Sequence, residues 1–142
     1  MRINDILRAK GSDVATISPG ATVADLVAAL AEHKVGALVV STSESPVVGI
    51  VSERDVVRAL TRHGAGLLQQ PVSSIMTEQV FTCEPGSDTV DMVTEMTVGR
   101  FRHVPVMEEG QLVGIISIGD VVKRRIDQLK AERDQLEAYI HG

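Results

Sequence analysis

Two stretches of this chain place apolar residues at helical spacing, and each is followed by two short runs of β-formers and then by another helix. Behind Thr22, the residues Val23, Leu26, Val27 and Leu30 share one face, which predicts an amphipathic helix ending near His33 and Lys34. A short strand over 14–18 precedes it, closed by Pro19-Gly20. The β-rich runs 35–40 and 47–51, separated by the polar loop 41–45, read as a hairpin too apolar to face water. A closing helix is predicted over 55–62. The second stretch follows suit: strand 80–83, helix 88–98, strand 101–107, turn 108–111, strand 112–116 and a helix from about Gly119.

The order is a tandem repeat. Pro19-Gly20 returns 66 positions later as Pro85-Gly86, and Val48-Gly49-Ile50-Val51-Ser52-Glu53-Arg54-Asp55 returns 65 positions later as Val113-Gly114-Ile115-Ile116-Ser117-Ile118-Gly119-Asp120. The second hairpin turn is one residue shorter, which accounts for the change of offset. Two β-α-β-β-α units, an α/β (α+β) arrangement, thus occupy most of the chain. Copies related by a pseudo-twofold axis bury their apolar faces on each other and leave paired clefts between them. Ile3-Asn4-Asp5-Ile6-Leu7 corresponds to Val72-Ser73-Ser74-Ile75-Met76, so each copy opens with a short helical lead-in. The first copy with its lead-in is 1–62, a linker 63–71, the second copy 72–125 and a helical tail 126–142. In that last segment Val122, Ile126, Leu129, Leu136 and Ile140 form a narrow seam interrupted by Arg133, fit to pack on the chain's own domain or on a twin subunit.

Composition narrows the partners. With 44% hydrophobic and 2% aromatic residues, the core is aliphatic and an aromatic base-stacking platform is not expected. A formal net charge of −5 argues against nucleic acid or an anionic membrane as partner, since both are held by clustered Lys and Arg. Any anionic ligand has to be caught locally. The lone Cys83 cannot close an internal disulfide, and no long apolar stretch marks a signal peptide or membrane span, so a cytoplasmic protein is expected. His33, His63 and His141 lack metal-ligand spacing with Cys83 or with one another.

Ser52-x-x-Asp55 and Ser117-x-x-Asp120 carry the candidate chemistry. Either they are capping boxes, in which hydroxyl and carboxylate satisfy free N–H groups of the first helical turn, or they present those groups at the mouth of a cleft. In that second reading hydroxyl and N–H groups meet a phosphate, and the carboxylate accepts from two vicinal ribose hydroxyls. Recurrence of Gly-Ile-[Val/Ile]-Ser-x-x-Asp in both copies favours the nucleotide reading.

The double pattern Thr16-x-x-Pro19, Val35-Gly36-Ala37-Leu38-Val39-Val40 and Gly49-Ile50-Val51-Ser52-x-x-Asp55 recurs as Thr82-x-x-Pro85, Phe101-Arg102-His103-Val104-Pro105-Val106 and Gly114-Ile115-Ile116-Ser117-x-x-Asp120. Together with the lead-in Ile75-Met76-Thr77, it resembles a tandem pair of CBS domains, the cystathionine β-synthase-type or Bateman module, over about residues 1–125. The resemblance implies a two-clefted regulatory pair, not an enzyme, that binds an adenine nucleotide without any catalytic cofactor. AMP is the first expectation, with ADP, ATP, NAD or S-adenosylmethionine also in the family's range. Carried over by position, Thr16, Gly36, Ala37, Leu38, Ser52 and Asp55 border one pocket; Thr82, His103, Val104, Pro105, Ser117 and Asp120 border the other. Arg54 is the candidate cation of the first and Arg102 with His103 of the second, unless all three face solvent. The resemblance further implies a homodimer and a separate effector protein. A constitutive dimerisation module with vestigial clefts is the competing reading.

Overall fold

The computed structural model describes residues 1–141. The first copy builds a three-stranded sheet from β1 (Thr16–Ile17), β2 (Ala37–Val40) and β3 (Gly49–Ser52), with β1 parallel and β3 antiparallel to the central β2. Helix α2 (Val23–His33) makes the crossover from β1 to β2, and α3 (Glu53–His63) follows β3 without a loop. The second copy pairs β4 (His103–Glu108) with β5 (Gln111–Ser117) between α4 (Thr89–Gly99) and α5 (Ile118–His141).

Helix ends follow local chemistry. Thr22 Oγ1 accepts from Asp25 N–H while Asp25 Oδ2 accepts from Thr22 N–H, both at 3.1 Å, a reciprocal cap that starts α2. Asp88 Oδ1 accepts from Val90 N–H at 2.8 Å at the equivalent start of α4. Lys34 and Arg100, 66 positions apart, stop their helices in the left-handed conformation with φ of 55° and 56°.

One expectation needs correction. No strand forms over 80–83: Cys83 alone bridges to Val106, through Cys83 N–H to Pro105 O at 3.0 Å and Met107 N–H to Cys83 O at 2.8 Å. Val80 and Phe81 line a cleft instead. Within the 63–71 linker, Gly64–Gln69 winds into a 3-10 turn whose Leu67 is wholly buried against α2 and α3.

The apolar residues divide into two cores, and the lead-ins are exchanged between them. Val23, Leu26, Leu38, Val51 and Val56 of the first copy pack with Val72, Ile75 and Met76, which open the second. Met92, Met96, Val104, Val106 and Ile116 of the second copy pack with Ile3, Ile6 and Leu7 of α1 (Ile3–Lys10). The copies therefore join by trading lids rather than by sharing one core. Backbone hydrogen bonds repeat the exchange: Asn4 N–H reaches Pro85 O at 2.8 Å, and Ser73 N–H reaches Pro19 O at 3.0 Å. Glycine permits it. A Cβ on Gly114 would stand 2.5 Å from Leu7, and one on Gly49 would stand 2.7 Å from Met76.

Helix α5 runs unbroken from the end of β5 through the tail, about 36 Å at the usual rise. Its seam does not fold back: Ile126 is 45% exposed and Ile140 73%.

Candidate functional site

One cleft of about 520 Å³ opens between the copies. The first copy contributes the backbone of Gly36 and Ala37 at the start of β2, Ile50 of β3, and Ser52, Glu53, Arg54, Asp55 and Arg58 at the start of α3. The second contributes Thr77, Gln79, Val80 and Phe81 from the irregular segment, then Gly99, Arg100, Phe101, Arg102 and His103 around the turn from α4 into β4. Gly36 and His103 touch across the boundary, a Cβ on Gly36 falling 3.4 Å from the imidazole.

Asp55 and Ser52 form a full capping box. Ser52 N–H donates to Asp55 Oδ2 at 2.8 Å, Ser52 Oγ–H donates to the same oxygen at 3.0 Å, and Asp55 N–H donates back to Ser52 Oγ at 3.3 Å. The pair caps α3, and the same two residues line the cleft. Asp120 and Ser117 repeat the cap, at 2.8 Å and 3.1 Å. Asp120 also forms an ion pair with Lys10, Nζ to Oδ2 2.6 Å. Burial pushes the Asp120 carboxyl up, but the bond from Lys10, the N–H of Ser117 and the Lys10 charge together hold it below the ordinary carboxylate value.

Four arginines, Arg54, Arg58, Arg100 and Arg102, face the two carboxylates of Glu53 and Asp55 in this cleft. Among the described residues none of the four is ion-paired. The result is a locally cationic mouth on a chain of net charge −5. His103 adds no full charge at neutral pH: burial lowers its pKa first, with the neighbouring Lys10 pushing the same way, against Asp120 and Glu53. The only two Phe residues of the chain, Phe81 and Phe101, meet here with ring centroids 5.6 Å apart. An aromatic wall therefore exists where composition argued against one, because two rings suffice when the fold brings them together.

The structure redistributes the expected site residues. Gly36, Ala37, Ser52, Arg54, Asp55, Arg102 and His103 line the single cleft, so the cations expected of two separate pockets converge on one. Leu38, Val104 and Pro105 are buried and do not line the cleft, Leu38 and Val104 packing in the two cores. Thr16, Thr82, Ser117 and Asp120 do not line it; Thr16 and Thr82 are exposed. Arg58 and Arg100 were not expected. Arg58 lies one helical turn after Arg54, a spacing that would have placed both on one face. Cys83 is a buried thiol that desolvation, then Glu84, push up to about 11, so it is no nucleophile.

A profile of the CBS domain matches the chain twice, over residues 3–62 and 72–127. The chain belongs to the CBS domain family. Its relatives include the mitochondrial CBS domain-containing protein CBSX3 of Arabidopsis thaliana, 33% identical over 99% of this chain and 72% of that protein. Among solved structures, the CBS-domain-containing protein ATU1752 from Agrobacterium tumefaciens superposes with a TM-score of 0.86 at 48% identity, covering 88% of this chain and 99% of that one. The CBS domain protein PAE2072 from Pyrobaculum aerophilum, solved with AMP, superposes at 0.74 and 29% identity over 84% of this chain and 89% of that one. The two cores, the exchanged lids and the cleft are thus features of a CBS pair. No helix among the described residues is long and apolar enough to cross a membrane, and no cluster of His, Cys, Asp and Glu among them could hold a metal ion.

Proposed function

We propose that this CBS pair is a regulatory module that senses a phosphate-bearing adenosine nucleotide in the cleft at Asp55. The observation that carries the reading is the meeting, in one cleft, of a capped carboxylate at a helix start with four arginines that have no ion-pair partner among the described residues. Asp55 suits vicinal ribose hydroxyls, the arginines suit phosphate, and Phe81 with Phe101 offers an apolar wall to the base. AMP, found in the P. aerophilum relative, fits this division of labour, as do ADP, ATP and NAD. S-adenosylmethionine, which brings a cationic sulfonium and no phosphate, fits it poorly.

The module acts on a separate effector through occupancy of the cleft, whose walls come from both copies. It works as a homodimer, in a reducing compartment such as the cytoplasm where the lone thiol stays free. A calorimetric panel of AMP, ADP, ATP, NAD and S-adenosylmethionine tests the reading. Binding of phosphate-bearing nucleotides is the expected result, and binding of none of them returns the chain to the alternative, a constitutive dimerisation module.

A further inference from the structure

Building on the nucleotide reading of the open cleft, we propose that Lys10 closes the equivalent site of the second copy, so that each chain takes one adenosine nucleotide instead of two. The pseudo-twofold relation says what an open second site would contain. Ile50, Ser52 and Asp55 correspond to Ile115, Ser117 and Asp120, and both serine N–H groups reach their carboxylates at 2.8 Å. The two sites differ in what the exchanged lead-in delivers.

After Met76 the chain is no longer helical. Thr77 exchanges backbone hydrogen bonds with Ile50 at 2.9 and 3.0 Å, and Gln79 comes to line the open cleft. After Leu7, the counterpart of Met76, the chain stays helical to Lys10, the counterpart of Gln79. Lys10 Nζ then donates to Ile115 O at 2.8 Å and meets Asp120 Oδ2 at 2.6 Å. One ammonium spans from strand β5 to the start of α5, onto the carboxylate whose counterpart Asp55 lines the open cleft. Asp55 has no such cation among the described residues.

A sugar hydroxyl offers the carboxylate a bond charged on one side only, whereas the ammonium offers one charged on both, so the ribose loses the competition for Asp120. Phosphate fares no better there. Lys10 is neutralised by its partner, and Arg102 lines the open cleft instead. The latch lies in the lead-in: a lysine held on a helix at the second site, against a glutamine on a non-helical segment at the first.

Titration calorimetry with AMP and with ATP tests this on the full chain. Wild type and Lys10→Arg, which keeps the cation, should take about one nucleotide per chain, and Lys10→Gln about two. In the Lys10→Gln background, Asp55→Ala should leave one site, and adding Asp120→Ala should leave none. Lys10 and Asp120 keep 34% and 23% of their side-chain surface exposed, and an ion pair this open to solvent adds little to stability, so Lys10→Gln and Lys10→Arg keep their fold. Two nucleotides on the wild type, or one on Lys10→Gln, overturns the proposal. Failure of the underlying reading looks different, because then no variant binds either nucleotide and both inferences fall. Carbon-detected titration of the Asp120 carboxyl reads the latch directly. Its pKa should rise in Lys10→Gln, and an unchanged value shows that Lys10 does not hold it.

Discussion

Asp55 has two duties for one carboxyl group. Oδ2 is committed to Ser52, while Oδ1 carries no hydrogen bond among the described residues. Asp55→Ala should lower nucleotide affinity about 10- to 150-fold, the loss of charge-assisted bonds of roughly 1.5–3 kcal/mol. Because the cap goes too, it should also cost about 1 kcal/mol of stability. Asp55→Asn separates the two in calorimetry and melting curves, since an amide oxygen still caps α3 while the charge offered to the ribose is gone. His103 makes a second residue-level test. Its folded pKa lies below the ordinary 6.5 through burial first, and then through Lys10. Its contribution to stability is therefore complete above about pH 6.5 and is lost as pH falls toward the depressed folded value. Melting temperatures from pH 8 to 5 should fall less steeply in His103→Gln than in wild type. At this scale the Ser-x-x-Asp pairs were legible, because capping and ligand binding ask for the same atoms. Arg58 and Arg100 were not, because each acquires meaning only from residues brought to it by the other copy, nor were Phe81 and Phe101, which meet only through the folding of the second copy.

Exchange of the lead-ins is the element-level fact with the largest energetic reach. Ile3 and Ile6 are almost wholly buried in the core of the second copy, although they precede the first. Ile6→Ala should cost about 2–5 kcal/mol. The damage should appear, by hydrogen exchange, as faster opening of α4, β4 and β5 while β1, β2 and β3 stay protected. Faster exchange in the first copy alone would contradict the exchange. Helices α2, α3, α4 and α5 were readable from periodicity and caps such as Thr22 and Asp88. The segment 80–83 misled, since Val80, Phe81, Thr82 and Cys83 have strand-forming side chains, yet Phe81 is drawn out to meet Phe101. The destination of a lead-in cannot be seen in sequence at all, because Ile3, Ile6 and Leu7 would fit either apolar core.

On the scale of the whole molecule, the exposed apolar surface points outward from both helical pairs. Val27 and Val57 stand 42% and 61% exposed on the first copy, and Val122, Ile126 and Leu129 stand about half exposed along α5. Patches of this kind are uncommon on stable monomers. Light scattering at tens of micromolar protein should report twice the chain mass of 15.2 kDa, and truncation after Arg125 should shift the equilibrium toward that single-chain value. A 15.2 kDa species from the intact chain would refute the dimer.

The traded lids also mean that the unit of repetition is not the unit of folding. A polypeptide ending in the 63–71 segment would carry a lid for a partner it lacks, and would leave its own sheet uncovered where Val72, Ile75 and Met76 belong. Its complement would lack Ile3, Ile6 and Leu7 in the same way. Neither fragment has a closed core by itself, yet the two together hold every piece, each bringing what the other is missing. A chain cut there is a natural split protein, whose reassembly is driven by two hydrophobic closures at once rather than by any surface between finished domains.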